Sequence, residues 1–367
     1  MTKILFSSIL EALPDSVPFV APEELERNRQ QKFISRIGAN ESAFGISTKA
    51  EEAIKKAVGI SGCSWYGDPL SYDIKTLLGE QLGLRREEIC VDAGIDTLLG
   101  LTVRMLMNPG DVMVTSNGAY PTVNYHVRGV GGIVHGVPYS DNHEDPVALA
   151  EAAHEHRAKL VYLANPDNPM GTRIGEQEIH TLIDNLPGNC VLMLDEAYFE
   201  FMPEAYAPKI NTAMVNVIRF RTFSKAYGMA GMRIGYAFGN ESLMKGYDKI
   251  RNHFGVNKLA QIAAAASLQD EIMLPTVRES VAVGRAKIYA MANELDLPYL
   301  ESFTNFVAVD LASNERAIKM LSLLDEQGIF MRKPMQAPLD RYLRVGVGTA
   351  EEHDFLAFKF PELLQQL

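Results

Sequence analysis

Only three cysteines occur in 367 residues, Cys63, Cys90 and Cys190, and they stand far apart. Such spacing indicates neither a disulfide framework nor a zinc cluster. Basic residues are the minority: 35 Lys and Arg against 46 Asp and Glu leave a formal net charge of −11. That balance argues against a broad nucleic-acid-binding surface, although a local basic pocket stays open. No stretch approaches the roughly 18 apolar residues of a membrane-crossing helix. The start, Met1 to Leu13, lacks a small-residue cleavage site of the A-x-A type, so no signal peptide is read and a soluble cytoplasmic protein is expected. Internal repeats and low-complexity tracts are absent. So is any Gly-Lys dipeptide, and no G-x-G-x-x-G follows a strand, which removes phosphate-loop ATPases and nicotinamide dehydrogenases.

What is present has an ordinary globular balance, 47% hydrophobic and 22% charged. The length exceeds what one compact core usually organises, so one large domain and a smaller one are expected. Residues 1–37 are rich in Pro, Glu and Arg and read as an arm. From there short apolar strands alternate with helical segments. Strands are expected at 88–91, 111–115, 159–163, 191–194 and 215–220, each nearly continuous in apolar residues. Continuous runs of that kind suit a mostly parallel sheet with helices on both faces, the three-layer α/β/α arrangement. A helix is expected over 96–107. After about Arg251 the texture changes: helices at 257–269 and 274–295 precede strands at 306–310 and 342–347. The expected division is therefore an arm (1–37), a large α/β domain (38–256) and a small α+β domain (257–367).

Ligands of such sheets sit beyond the carboxyl ends of the strands, so the polar clusters there carry the interest. The first runs from Arg221 to Gly235, Arg-Thr-Phe-Ser-Lys-Ala-Tyr-Gly-Met-Ala-Gly-Met-Arg-Ile-Gly. Two hydroxyls, a lysine and an arginine converge there in a glycine-spaced loop, a donor set that suits a phosphate. Lys225 could clamp that phosphate or serve as an amine nucleophile. Ser224-Lys225 alone would be a weak signal and reads equally as a solvated loop. The second cluster, Asp195-Glu196-Ala197-Tyr198, ends an apolar strand. Asp195 is either a helix N-cap or a buried carboxylate paired with a cationic heterocycle nitrogen. The third, Asn165-Pro166-Asp167-Asn168-Pro169-Met170-Gly171, is a stiff turn that projects the Asn168 amide, and alone it would be a structural turn.

Taken in order, these residues resemble the fold-type-I pyridoxal-phosphate aminotransferases, most closely the histidinol-phosphate aminotransferase group. The resemblance runs from about Asn40 to Val347. It rests on Asn40-Glu41, Tyr66-Gly67-Asp68-Pro69, Gly94-Ile95-Asp96, Tyr120-Pro121, the Asn168 turn, Asp195 to Tyr198, the Lys225 loop with Arg233, and Leu343-Arg344-Val345. It implies pyridoxal 5'-phosphate as cofactor, with Lys225 holding it as an internal aldimine and moving the substrate's proton. Asp195 would pair with the pyridine nitrogen, and Asn168 and Tyr198 with the ring's 3' oxygen. Tyr120 would stack on the ring. Phosphate anchoring would fall to Thr222, Ser224, Arg233 and the N–H groups of Ile95 and Asp96 after Gly94. Tyr66 would reach the phosphate of a neighbouring subunit, implying a symmetric homodimer. Arg344 would clamp a substrate carboxylate, with Asn40 and Phe44 near the substrate.

Departures from the family pattern bear on the substrate. The usual Asn-Glu-Asn-Pro-Tyr-Gly run reads Asn40-Glu41-Ser42-Ala43-Phe44-Gly45, so the aromatic hydroxyl is missing. Thr97 replaces the acid that usually follows the phosphate-loop aspartate, and Gly67 replaces a proline. Phe19, Phe44 and Trp65 could equally suit an aromatic donor. The expected reaction moves an amino group between histidinol phosphate, or another L-amino donor, and a 2-oxo acid. Decarboxylation of a phosphorylated amino acid, as in the threonine-phosphate decarboxylases, uses the same cofactor contacts and remains open. A non-catalytic regulatory module would need an attached DNA-binding domain, for which this acidic chain has no basic segment.

Overall fold

The computed structural model describes residues 5–14 and 21–367. Seven strands form the main sheet: β1 (Ile89–Asp92), β2 (Val112–Ser116), β3 (Ile133–Val137), β4 (Leu160–Ala164), β5 (Val191–Asp195), β6 (Val217–Thr222) and β7 (Gly235–Gly239). Their spatial order is β1-β7-β6-β5-β4-β2-β3. Pairing is parallel from β3 through β2, β4 and β5 to β6, while β7 runs antiparallel to both of its neighbours. Every residue of β4, β5 and β6 is buried. Helices cover both faces, which is why these strands read as unbroken apolar runs rather than as an alternation.

Two of these strands escape the sequence reading. β3 is Ile-Val-His-Gly-Val on the sheet's edge, with Ile133 exposed, so it carries no continuous apolar run. β7 is Gly-Tyr-Ala-Phe-Gly, and its flanking glycines disguise it as part of the preceding loop. Gly235 is required by crowding: a Cβ there would lie 3.0 Å from both the Arg221 carbonyl oxygen and the Ile95 nitrogen.

A smaller antiparallel sheet pairs β8 (Phe306–Asp310) with β9 (Tyr342–Gly346). Its core joins Phe306, Val307, Leu343 and Val345 to Val277, Val281 and Ile288 of the helix Met273–Glu294. Ile37 is packed into the same core, and Ser35 bridges to Ile329. The helix Lys258–Leu268, in contrast, buries Ala260, Ala263, Ala264 and Leu268 against Ile89, Val91, Phe223 and Phe238 of the large sheet's side. Packing passes from one core to the other near Met273 and Leu274, which touch both. Among the described residues no helix is long and apolar enough to cross a membrane.

Candidate active site

Register brings the strand ends together. Ala164 lies opposite Asp195, and Asp195 opposite Phe220, so β4, β5 and β6 finish at one edge of the sheet. The turn 165–171, the acid pair 195–196 and the loop 222–233 therefore open onto the same space. A cavity of about 370 Å³ occupies it. Of the expected residues, Ile95, Asp96, Tyr120, Asn168, Asp195, Tyr198, Thr222, Ser224, Lys225 and Arg233 line it. Residues more than a hundred positions apart converge there because the sheet orders its strands by pairing rather than by sequence.

Asp195 ends β5 in a buried position. One oxygen accepts from the Tyr162 hydroxyl at 2.6 Å and the other from the Ala197 N–H at 2.9 Å. Burial pushes its carboxyl up to about 6. Among the described residues Asp195 forms no salt bridge, so it can take a positively charged ring nitrogen as its partner. Directly behind it, Glu196 is fully buried between two arginines of β6. Arg221 Nε donates at 2.9 Å and Arg219 Nε at 3.1 Å. This network fixes the end of β5 beside β6.

Lys225 is half-buried, and its Nζ donates to the Asn40 carbonyl at 3.1 Å. The same ammonium stands 5.6 Å from the centre of the Tyr198 ring. The Asn40 side chain donates to the Tyr198 hydroxyl at 2.8 Å. Asn40 thus holds both groups from below while adopting φ +55°, a conformation asparagine tolerates better than most residues. Its Oδ1 is buried without a partner.

At the opposite end of the cavity, the helix Ile95–Leu106 begins after Gly94 with no side-chain cap. Uncapped N–H groups and the helix dipole favour an anion there. Gly94 has φ +89°, and a Cβ on it would lie 2.6 Å from Arg233 Nη2. The absence of a side chain therefore lets the guanidinium approach the helix start, where Arg233 also stands 3.6 Å from Asp96. Thr222 and Ser224 hydroxyls lie 2.9 Å apart beside it. This end is a cradle of hydroxyl, guanidinium and backbone donors, the composition a phosphate needs. Tyr120 donates to Asp96 Oδ1 at 2.9 Å, which anchors its ring at the cavity wall.

Arg344 lies behind the lining. Its Nη1 donates to Asn168 Oδ1 at 2.7 Å and its Nη2 to the Gly38 carbonyl at 3.4 Å. The Nε is buried with no partner among the described residues, and burial pushes the guanidinium down to about 10, still cationic at neutral pH. A carboxylate or phosphate on a substrate would fit that unmet valence.

Phe44, Trp65 and Tyr66 stand apart from the lining. Phe44 is half-exposed and outside the lining. Tyr66 is 79% exposed, its ring 4.9 Å from that of Phe254, and does not reach the cavity of its own chain. Phe19 lies outside the described residues. Two lining residues with polar side chains, Tyr162 and Glu41, were given no role by the sequence reading. Tyr162, the partner of Asp195, is a hydroxyl inside an otherwise apolar strand, and that oddity was the available signal. Glu41 was noted only as part of a motif. Among the described residues no group of three or more His, Cys, Asp or Glu could hold a metal ion.

Comparison with known proteins agrees with this geometry. The family model for aminotransferase class I and II matches residues 34–359. A histidinol-phosphate aminotransferase 2 of Carboxydothermus hydrogenoformans is 34% identical over 344 residues, 93% of this chain and 94% of that protein. A histidinol-phosphate aminotransferase of Moorella thermoacetica is 30% identical, over 95% of this chain and 90% of that one. A histidinol-phosphate aminotransferase from Sinorhizobium meliloti, solved with pyridoxal-5'-phosphate, superimposes with a TM-score of 0.95 at 42% identity, covering 98% of each chain. The chain belongs to the aminotransferase class I and II family, and it is a transaminase that works with pyridoxal phosphate.

Proposed function

We propose that this aminotransferase takes its amino group from histidinol phosphate and passes it to a 2-oxo acid, with Lys225 as the proton-moving base. The observation that carries the reading is the arrangement of Asp195, Lys225 and the Thr222–Ser224–Arg233 cradle around one cavity. An uncompensated buried carboxylate at one end and an anion cradle at the other match the ring nitrogen and the phosphate of the cofactor. When bound, pyridoxal phosphate supplies an electrophilic carbon and a ring that accepts the electron pair left on the substrate's Cα. The chain's own residues do the rest. Asp195 keeps the ring nitrogen protonated by offering a fixed negative charge. Asn168, whose oxygen is taken by Arg344, has its amide N–H₂ left to donate into the cavity beside the Tyr198 hydroxyl. Lys225 would take the proton from the donor's Cα and hand it to the cofactor's C4′, on the far side of the amino nitrogen.

Histidinol phosphate has one anionic group, its phosphate, and a 2-oxo acid has one, its carboxylate. Arg344, through the Nε–H that is not engaged by Asn168 or Gly38, would meet either, so one arginine serves both halves of the reaction. The names and identities of the relatives support histidinol phosphate over an aromatic amino acid. The deciding experiment is a panel of amino donors, including histidinol phosphate and phenylalanine, scored by the absorbance change of the bound cofactor. Preference for phenylalanine would overturn the substrate assignment. Carbon dioxide release without cofactor conversion would overturn transamination itself.

The working unit is proposed to be a symmetric homodimer in the cytoplasm. The exposed pair Tyr66–Phe254 supports the dimer, and three unpaired thiols suit a reducing compartment. Within each chain the division at 37/38 and 256/257 is proposed to work as an arm and two units. Its refinement is that the helix Lys258–Leu268 moves with the large sheet, on which it packs.

A further inference from the structure

Behind the turn that carries Asn168 lies a pair of acids that the reaction does not touch. Glu144 and Asp167 are 3% and 2% exposed. Glu144 accepts from the Ser116 hydroxyl at 2.6 Å and from the Ala164 N–H at 3.0 Å. Asp167 accepts from the Tyr139 hydroxyl at 3.0 Å and from the Met170 N–H at 3.1 Å. The two carboxyl groups lie within hydrogen-bonding reach of each other. Two carboxylates have no hydrogen to place between them, so that contact requires one shared proton. Burial and then the charge of Asp167 push Glu144 well up, and burial pushes Asp167 up to about 7. The charged and titratable groups facing the pair include Arg344 on the Asp167 side, Asp195 and the Tyr162 hydroxyl on the Glu144 side, and the Tyr139 hydroxyl beside both.

Position gives the pair its role. Ser116 is the last residue of β2 and Ala164 the last of β4, so Glu144 ties two strand ends together. Asp167 closes the turn through its backbone, its N–H donating to the Thr172 carbonyl at 2.8 Å and its carbonyl accepting from Gly171 at 3.1 Å. Asn168 is the next residue, and it receives Arg344. We propose that Glu144 and Asp167, sharing one proton, are positioning residues that fix where Asn168 and, through it, Arg344 stand. Loss of the shared proton leaves two like charges in contact and loosens the turn, so the positioning weakens as pH rises. The inference rests on Asn168 serving the cofactor.

The test uses the holoenzyme and three variants. Glu144→Ala strands the Ser116, Ala164 and Asp167 groups together. It should lower kcat/KM by about tenfold, the size of a buried hydrogen-bond loss, while shifting the pH titration of the bound cofactor's absorbance. Glu144→Gln keeps the arrangement: its oxygen still accepts from Ala164, its N–H₂ replaces the shared proton, and the Ser116 hydroxyl turns to accept. This variant should recover most of the activity lost in Glu144→Ala and flatten the fall in activity at alkaline pH. Its infrared difference spectrum against the parent should show the loss of a protonated-carboxyl band. Should Glu144→Ala fail to fold, Glu144→Gln still decides through that band and its pH profile. A parent-like alkaline fall in Glu144→Gln, an unchanged carboxyl band, or equal impairment in Gln and Ala variants would overturn the proposal. Asn168→Ala separates the two readings. If it leaves the cofactor spectrum unchanged, the assignment of Asn168 fails. If it alters the spectrum while Glu144→Ala does not, only the positioning pair fails.

Discussion

Asp195 carries a negative charge where burial disfavours one, and neutral donors from Tyr162 and Ala197 only partly offset that cost. Its folded-state value of about 6 stands above the usual 3.8 of an aspartate. A raised carboxyl contributes stability below about pH 4, and that contribution is lost as pH rises through about 6. In the cofactor-free protein Asp195→Asn should therefore raise stability near pH 8 by up to about 3 kcal/mol. The gain should vanish near pH 4, and thermal unfolding at the two pH values reads both effects. A cofactor-free variant less stable than its parent at pH 8 would show that the carboxylate already has a partner. The same substitution removes the charge proposed to keep the ring nitrogen protonated, so turnover should fall by about a hundredfold, as for a lost buried charged hydrogen bond. Lys225→Ala is the companion case. It should abolish turnover and leave the fold intact, because the Lys225 ammonium makes one hydrogen bond to a backbone carbonyl. Arg344→Ala should raise KM for the amino donor and the 2-oxo acid alike, since one guanidinium meets both anions. An increase confined to one of them would divide the two roles.

Elements hold these residues at their stations, and the glycine before the helix Ile95–Leu106 is the most sensitive point. Gly94→Ala would place a methyl 2.6 Å from Arg233 Nη2 at a φ of +89°. Arg233 has to withdraw from the cradle, and the cofactor should bind about tenfold or more weakly in a fluorescence titration, with backbone strain adding about 1 kcal/mol to the loss of stability. The β5–β6 edge is held differently. Glu196→Ala leaves two buried guanidinium groups without their carboxylate, which should cost about 3–5 kcal/mol in unfolding experiments. How much of this was legible in the sequence depended on the kind of signal. β4, β5 and β6 were readable because burial on both faces writes an unbroken apolar run. β3 and β7 were not, because a half-exposed edge and flanking glycines erase that run. Lys225, Asp195 and Asn168 stood out by order and residue type, and all three line the cavity. Tyr162 was hidden, since a tyrosine in a buried strand looks like core until its hydroxyl is seen on Asp195. Glu144 was hidden for a different reason: its contacts at Ser116 and Ala164 follow from strand order, which no local spacing encodes.

The whole molecule raises the question of why so much apolar surface lies open beside Tyr66. Trp65, Tyr66, Leu70 and Phe254 are all more than half exposed, and Tyr66 packs on Phe254. Single exposed aromatics are common on monomers, whereas a contiguous group signals a surface that is covered in solution. In the proposed homodimer a second copy related by a two-fold axis would cover it and carry Tyr66 towards the neighbour's phosphate cradle. Two substitutions separate assembly from chemistry. Phe254→Glu puts a charge into the covered face, so light scattering should report a particle near the 40.6 kDa of one chain, with activity lost alongside. Tyr66→Phe keeps the ring and removes only the hydroxyl. It should leave the dimer intact and weaken cofactor binding by about tenfold, the effect of one lost charge-assisted hydrogen bond. A parent protein that runs as a fully active single chain would remove the dimer and the role of Tyr66 together. A dimer in which Tyr66→Phe binds the cofactor as tightly as its parent would keep the assembly and place the hydroxyl elsewhere.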